Sequence, residues 1–260
     1  METNITINPR YASSADAVRF IQDIPERFKE SGTVVYDKRN QIRLVDSPCQ
    51  ELPDMAIKRF RRLSPLKAAV YTYFSTTKAK RAYDNAFVLL GHGIDTPEPI
   101  AYIEIKERGL IRDCYYVCGR MVAPAIKDGL YYLDSYNSRL ADDFAAMVAK
   151  MHRAGVLHND LNCDNVLYVR DYTTGGYRFS LIDINRMTVL KEGELPDVHQ
   201  CAVNLSRFCR DVDIYRRVVS AYVRYRGWDA GMVDKFVDYK VRFNRNRRIK
   251  KYILHPFRHN

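Results

Sequence analysis

The chain has 260 residues, 47% hydrophobic and 28% charged, without a low-complexity tract, so it reads as globular with disorder expected only in its first few residues. Its formal charge of +11, from 42 basic against 31 acidic residues, favours either a polyanionic partner or a solvated basic face. No stretch approaches the roughly 18 apolar residues of a membrane span, and residues 1–18 lack the basic-then-apolar order of a secretory signal, so a cytoplasmic protein is expected.

Residues 33–45, TVVYDKRNQIRLV, set two β-favouring runs around a polar centre and predict a hairpin closed near residues 37–40. A third strand is predicted over 55–60, MAIKRF. Residues 58–81 carry eight Lys or Arg and no acid. Beyond the third strand they read as a basic linker leading to a helix over 77–90, where Tyr83, Phe87 and Leu90 fall at helical spacing and Gly91 can stop it. Pro97 and Pro99 delay a fourth strand to 100–105, and CYYVC at 114–118 makes a fifth.

The character then changes. Leu140, Phe144, Val148 and Met151 form an apolar stripe on a helix ending at Gly155. After HNDLNCDN at 158–165, VLYV at 166–169 and YRFSLID at 177–183 read as two strands around DYTTGG. Ala202, Leu205, Phe208, Val212 and Tyr215 fit one helix, and residues 232–243 another. Residues 240–260 hold eight more Lys or Arg, again without an acid. The fold class is therefore α+β. A sheet-rich part over 1–118, with five strands, one main helix and an N-terminal extension, precedes a mostly helical part over 119–260 that ends in a basic segment.

His158, Asp160 and Asn165 stand between a helix and a strand, and Asp183 closes the strand that pairs with it. A hairpin returning from Asn165 to Asp183 brings an amide oxygen and a carboxylate together, which suits a hard cation such as magnesium with water and phosphate as further ligands. Asp160 then faces whatever lies beside the metal-bound phosphate. His158 is expected to brace the loop, and His152 to lie at the surface or cap a helix. A zinc site from His158, Cys163 and Asp164 lacks a fourth ligand at suitable spacing, and the six scattered cysteines read as reduced, mostly buried thiols. Tyr71, Tyr73 and Phe74 beside basic residues could stack on single-stranded nucleic acid or pack between linker and helix. No RNA-binding or zinc-finger signature accompanies them, and no nucleic-acid partner is expected.

In order along the chain, Ala56-Ile57-Lys58 resembles the kinase V-A-I-K on a third strand. His158-x-Asp160-x-x-x-x-Asn165 has the spacing of the protein-kinase catalytic loop, and Asp183-Ile184-Asn185 stands where D-F-G would be. More narrowly, KRFRR at 58–62, VYTYFSTTKAKRAYDNA at 70–86, GIDTPEPIAY at 93–102 and HNDLNCDNVL at 158–167 resemble the lipopolysaccharide kinase family, whose bacterial members include Kdo and heptose kinases. The resemblance runs from about Gly32 to Arg217.

It implies a bilobal protein-kinase-like fold and a phosphotransferase that uses ATP and magnesium (Mg2+). Lys58 would hold the phosphates, and Asn165 and Asp183 the magnesium. Asp160 would accept the proton of the acceptor hydroxyl or orient that hydroxyl, and the adenine would lie near Gly119, Arg120, Met121 and Val122. A kinase lysine is held by an acid on the following helix. Asp84 is the acid available there, one methylene shorter than the usual glutamate, so the pair is longer, bridged by water or replaced. The implied acceptor is a sugar hydroxyl of the lipopolysaccharide inner core or lipid A precursor, Kdo first. Such an anionic glycolipid would be met by peripheral contact at the cytoplasmic face of the inner membrane.

The departures are as informative. There is no G-x-G-x-x-G, only Gly32 before the first hairpin; Asn159 and Asn162 replace the usual Arg and Lys, and no A-P-E follows Asp183. These differences count against phosphorylation-controlled activation and for an assembled site with a non-protein acceptor. The alternatives are a kinase for protein or a small metabolite, and a non-catalytic basic binding module of kinase-like fold. The oligomeric state is not legible.

Overall fold

Glu2–Ile7 (β1), Thr33–Asp37 (β2), Gln41–Val45 (β3), Met55–Arg59 (β4), Pro99–Glu107 (β5) and Leu110–Gly119 (β6) form one antiparallel sheet in the order β1-β5-β6-β4-β3-β2. The computed structural model describes residues 2–131 and 136–254, with side chains except at 131 and 250–254. Of the basic segment 240–260, residues 255–260 lie outside the described residues. The chain divides into two compact units, Met1–Val122 with Asp183–Arg186, and Ala123–Ile182 with Met187–Asn260.

In the first unit, the residues expected to be disordered open the fold instead. β1 pairs along β5, with Ile5 opposite Ile103 and Ile7 opposite Ala101, so alternate isoleucines reach the core. The helix Ala15–Arg27 (α1) follows, its first turn capped by the Ser14 hydroxyl, which accepts from the Ala17 N–H. Ala17, Ile21, Ile24 and Phe28 recur at helical spacing and are buried with Met55, Ile57, Ile103 and Val117 of the sheet.

The expected basic linker contains a helix of its own, Pro65–Tyr73 (α2), with Pro65 in its first turn, where the missing N–H costs nothing. Tyr73 and Phe74 do not pack between linker and helix; Phe74 is 84% exposed. The main helix, Lys78–Gly91 (α3), starts where the Thr77 hydroxyl accepts from the Lys80 N–H and buries Ala79, Ala82, Tyr83, Ala86 and Leu89. It packs on β5 and β6. Ile184–Arg186, a single 3-10 turn, also packs on α3.

The second unit comprises helices Ile126–Tyr131 (α4), Ser138–Arg153 (α5), Val198–Leu205 (α6), Val212–Arg226 (α7) and Met232–Leu254 (α8). Two small antiparallel ribbons accompany them: Val156–His158 (β7) with Met187–Val189 (β10), and Val166–Arg170 (β8) with Tyr177–Leu181 (β9). The predicted stripe Leu140, Phe144, Val148 and Met151 is fully buried on α5, and Phe144 stacks on Phe208 at 4.2 Å between centroids. The single helix expected through 202–215 is two, broken over 206–211. Phe208 is buried from that loop, and Asp211 caps α7 by accepting from the N–H groups of Asp213 and Ile214. No helix among the described residues is long and apolar enough to cross a membrane.

Gly32 turns into β2 with φ +62, and a Cβ there would lie 1.9 Å from the Leu44 carbonyl oxygen. Gly32→Ala is expected to lower stability by roughly 2 kcal/mol or more. Gly91→Ala, in open space at the end of α3, is expected to be neutral or slightly stabilising. Urea denaturation midpoints of the two variants check both outcomes.

Candidate active site

In the first unit Lys58 projects from β4, an interior strand, and its ammonium donates to Asp183 Oδ1 at 2.5 Å across 125 residues of chain. The Lys58 side chain is largely buried and that of Asp183 about one-third exposed, and the ammonium also lies 5.3 Å from the centre of the Phe60 ring. Asp183 has φ 56, a left-handed conformation that Asp tolerates better than most residues. Asn185 Nδ2 donates to the same Oδ1 at 2.7 Å. The turn is gripped from α3: Arg81 Nε donates to the Asn185 carbonyl at 3.1 Å and Asn85 Nδ2 to the Ile184 carbonyl at 2.7 Å.

Asp84, expected as the partner of Lys58, is not its partner. Arg81 and Asn85, four residues apart, occupy the face of α3 toward the turn, so Asp84 is rotated away and pairs with Lys80 at 2.9 Å. Gly119 through Val122 leave the end of β6. The N–H groups of Gly119 and Arg120 donate to the carbonyls of Glu98 (2.9 Å) and Asp54 (2.7 Å), while Met121 and Val122 are exposed.

In the second unit both ring nitrogens of His158 are engaged. Nε2 lies 3.0 Å from the Ile182 carbonyl and Nδ1 accepts from the Asp160 N–H at 3.2 Å, so the ring braces the loop. The Asp160 carbonyl gathers the Asn162 N–H at 2.8 Å and Asn165 Nδ2 at 2.9 Å. The Asn165 carbonyl in turn accepts from the Ile182 N–H at 3.0 Å. The Cys163 N–H and Sγ both donate to the Phe208 carbonyl, and Asp164 pairs with Lys127, so the three residues weighed as a zinc site each have another partner.

His152 is neither at the surface nor a cap: it is fully buried on α5. Asn204 Nδ2 donates to the His158 carbonyl at 2.9 Å, which leaves Asn204 Oδ1 to accept from His152 Nε2–H at 3.0 Å. His152 Nδ1 is then the acceptor for the Tyr222 hydroxyl at 2.7 Å, and that hydroxyl oxygen accepts from Arg226 at 2.9 Å. This relay of neutral groups holds the loop 158–165 from beneath. Asn185 closes the Asp183-Ile184-Asn185 motif, but no catalytic motif marks Arg81, Asn85, His152 or Asn204. For Arg81 and Asn85, their i, i+4 spacing on the predicted helix was the available signal.

Residues 66–194 match the Lipopolysaccharide kinase (Kdo/WaaP) family. The chain is similar to a 3-deoxy-D-manno-octulosonic acid kinase of Photobacterium damsela subsp. piscicida, 24% identical over 118 residues. The match covers 44% of this chain and 49% of that relative, about half its length. Among solved structures, WaaP in complex with acyl carrier protein is similar, with a TM-score of 0.61 and 15% identity over 92% of this chain and 98% of the other. At that identity the likeness shows the fold, which is the kinase-like α+β fold of WaaP.

Burial lowers the pKa of His152 from 6.5 to about 4, against the hydrogen bond to Asn204 Oδ1, which raises it. Between those values the unfolded chain binds the proton and the folded chain does not, so stability rises with pH through the window. His152 is expected to contribute full stability above about pH 6.5 and to lose roughly 3 kcal/mol of it as the pH falls toward 4. The check is chemical denaturation from pH 7.5 to 4. His152→Gln should be less stable at neutral pH, and the gap to the parent protein should narrow as the solution is acidified.

Proposed function

We propose, from the match of residues 66–194 to the lipopolysaccharide kinase (Kdo/WaaP) family, that the chain transfers the γ-phosphate of ATP to a sugar hydroxyl of the lipopolysaccharide inner core or lipid A precursor, with Kdo as the acceptor sugar. The observation that carries the proposal is the Lys58–Asp183 ion pair, held in a turn gripped by Arg81 and Asn85. Phosphoryl transfer asks for positioned charge more than covalent chemistry, and a fixed ammonium beside a fixed carboxylate is what phosphate and a divalent cation require.

In the transfer, the acceptor oxygen bonds to the γ-phosphorus and the bond from that phosphorus to the ADP oxygen breaks. The hydroxyl proton passes to Asp160, on the braced loop. Lys58 holds the phosphates. Asn165 and Asp183 are the proposed magnesium ligands, and their chemistry fits a hard cation. The amide nitrogen of Asn165 is engaged by the Asp160 carbonyl, so its oxygen is the ligating atom, and Asp183 supplies a carboxylate. Magnesium, when bound, supplies charge neutralisation on the phosphates. The adenine falls to the Gly119–Val122 segment. With the Gly119 and Arg120 N–H groups engaged, the backbone of Met121 and Val122 is left to meet the base.

The reaction is assigned to the cytoplasmic face of the inner membrane. In support, Leu66, Val70, Tyr73 and Phe74 are exposed at positions that share one face of α2, inside the acid-free stretch 58–81. An apolar face with basic neighbours suits an anionic bilayer surface. Leu66→Ser with Phe74→Ser is expected to reduce co-sedimentation with phosphatidylglycerol vesicles several-fold while leaving the melting temperature unchanged.

With ATP and magnesium, purified protein is expected to add about 80 Da, one phosphate, to Kdo-lipid A precursor. Asp160→Ala and Lys58→Met should each lower turnover by roughly 100-fold or more. Mass spectrometry of the product reads both. No added phosphate on Kdo-lipid A precursor or core oligosaccharide would remove the acceptor assignment, and unchanged turnover in Asp160→Ala would remove the mechanism.

A further inference from the structure

The second unit contains a cavity of about 1000 Å³ bordered by Asp160, large enough for one or two sugar rings. Its walls come from the loop 158–165, the start of α4, the break between α6 and α7, and α8. Four cations and two carboxylates line it. Lys127 is paired with Asp164, whereas Arg207, Arg210 and Arg247 are exposed and have no carboxylate partner among the described residues. Three guanidinium groups around one carboxylate make a site for an anion rather than for a neutral sugar.

The arginines are held in register with Asp160. Lys240 of α8 is 1% exposed, and its ammonium donates to the carbonyls of Ser206 at 2.7 Å and of Cys209, so α8 is tied to the loop that carries Arg207 and Arg210. Phe208 of the same loop accepts from the Cys163 N–H at 3.0 Å, three residues beyond Asp160. Phe243, half-buried, sits under the Arg207 guanidinium at 5.8 Å and lends the cavity an apolar wall on which a sugar ring can rest.

Resting on the kinase assignment above, we propose that this cavity is the acceptor site and that Arg207, Arg210 and Arg247 select the acceptor by binding its carboxylate or phosphate groups while its hydroxyl reaches Asp160. Planar guanidinium groups bind either anion bidentately, so the shared chemistry is an anionic sugar.

The test compares the parent protein with Arg207→Gln/Arg247→Gln, and with Arg19→Gln on the exposed side of α1 as control. Acceptors are Kdo-lipid A precursor, the same glycolipid with its phosphates removed, and the same glycolipid with its Kdo carboxyl esterified. The double variant is expected to raise KM for the intact acceptor at least about 10-fold, with kcat and KM for ATP within about 3-fold of the parent and an unchanged melting temperature. For the acceptor that lacks the anion these arginines bind, parent and variant should converge, which separates phosphate from carboxylate. An unchanged acceptor KM, or equal losses in both substrates, would overturn the proposal. Titration of the intact glycolipid without ATP gives an arm that needs no turnover. If the parent binds it and the double variant does not, but no phosphate is transferred, the acceptor cavity stands and the kinase assignment falls. If neither protein binds it, the cavity proposal falls by itself.

Discussion

An ammonium and a carboxylate separated by 125 residues meet at 2.5 Å in the first unit, and the turn that follows Asp183 is shaped by that meeting. With its ammonium largely buried, the pair constrains where the carboxylate can stand, although solvent at Asp183 screens part of the attraction. Lys58 stands on an interior strand flanked by β3 and β6, so the adjustable member is the segment 183–186. That segment meets the demand with a left-handed residue at Asp183, an internal hydrogen bond from Asn185, and two carbonyls claimed by α3. The grip from α3 uses a guanidinium and an amide on backbone oxygens. Lys58 and Asn185 both donate to the carboxylate that this grip positions.

The second unit solves a similar problem with neutral groups. The relay from Tyr222 through His152 and Asn204 to the His158 carbonyl carries no net charge, and each member has its donors and acceptors matched, so burial is cheap compared with burying an ion. Lys240 is the exception, an ammonium with carbonyls and the faces of Tyr215 and Phe243 around it. Burial lowers its pKa, and its hydrogen bonds to the Ser206 and Cys209 carbonyls offset part of that cost.

The α+β class, the hairpin at 33–45, the strand holding Lys58, α3 and α5 were legible from local period and turn signals, but only on α5 is the whole predicted stripe buried: of the α3 residues Tyr83 is buried while Phe87 and Leu90 are exposed, and β2 of the hairpin is exposed throughout. What escaped did so for identifiable reasons. β1 is short and polar, and only its pairing with β5, about a hundred residues on, makes it a strand. α2 carries its large apolar residues outward, so its pattern resembles a linker. The break at 206–211 was hidden because Phe208 continues the helical spacing of Leu205 and Val212 while reaching the core from a loop. In the candidate site, the motif residues Lys58, Asp160, Asn165 and Asp183 could be named from spacing. Their supports could not, since Asp84 and Asn85 differ by one position on a helix whose rotation the sequence leaves open within a residue.

Charge shows the same limit most sharply. The run 58–81 contains no acid, yet Lys58, Arg59, Arg62 and Lys80 are all paired, with Asp183, with Asp113, with Asp113 and Glu107, and with Asp84. The compensating acids come from other strands, from the turn at Asp183 and from the next turn of α3, so an acid-free window is not an acid-free surface. Arg247 belongs to the basic run 240–260, but Arg207 and Arg210 stand outside both runs, and nothing in the sequence joins the three. They converge because a helix break and the far half of α8 line one cavity, and among the described residues its acids are Asp160 and the Lys127-bound Asp164. An anion site is therefore a property of which charges the fold leaves uncompensated, and net charge along the chain measures a different quantity.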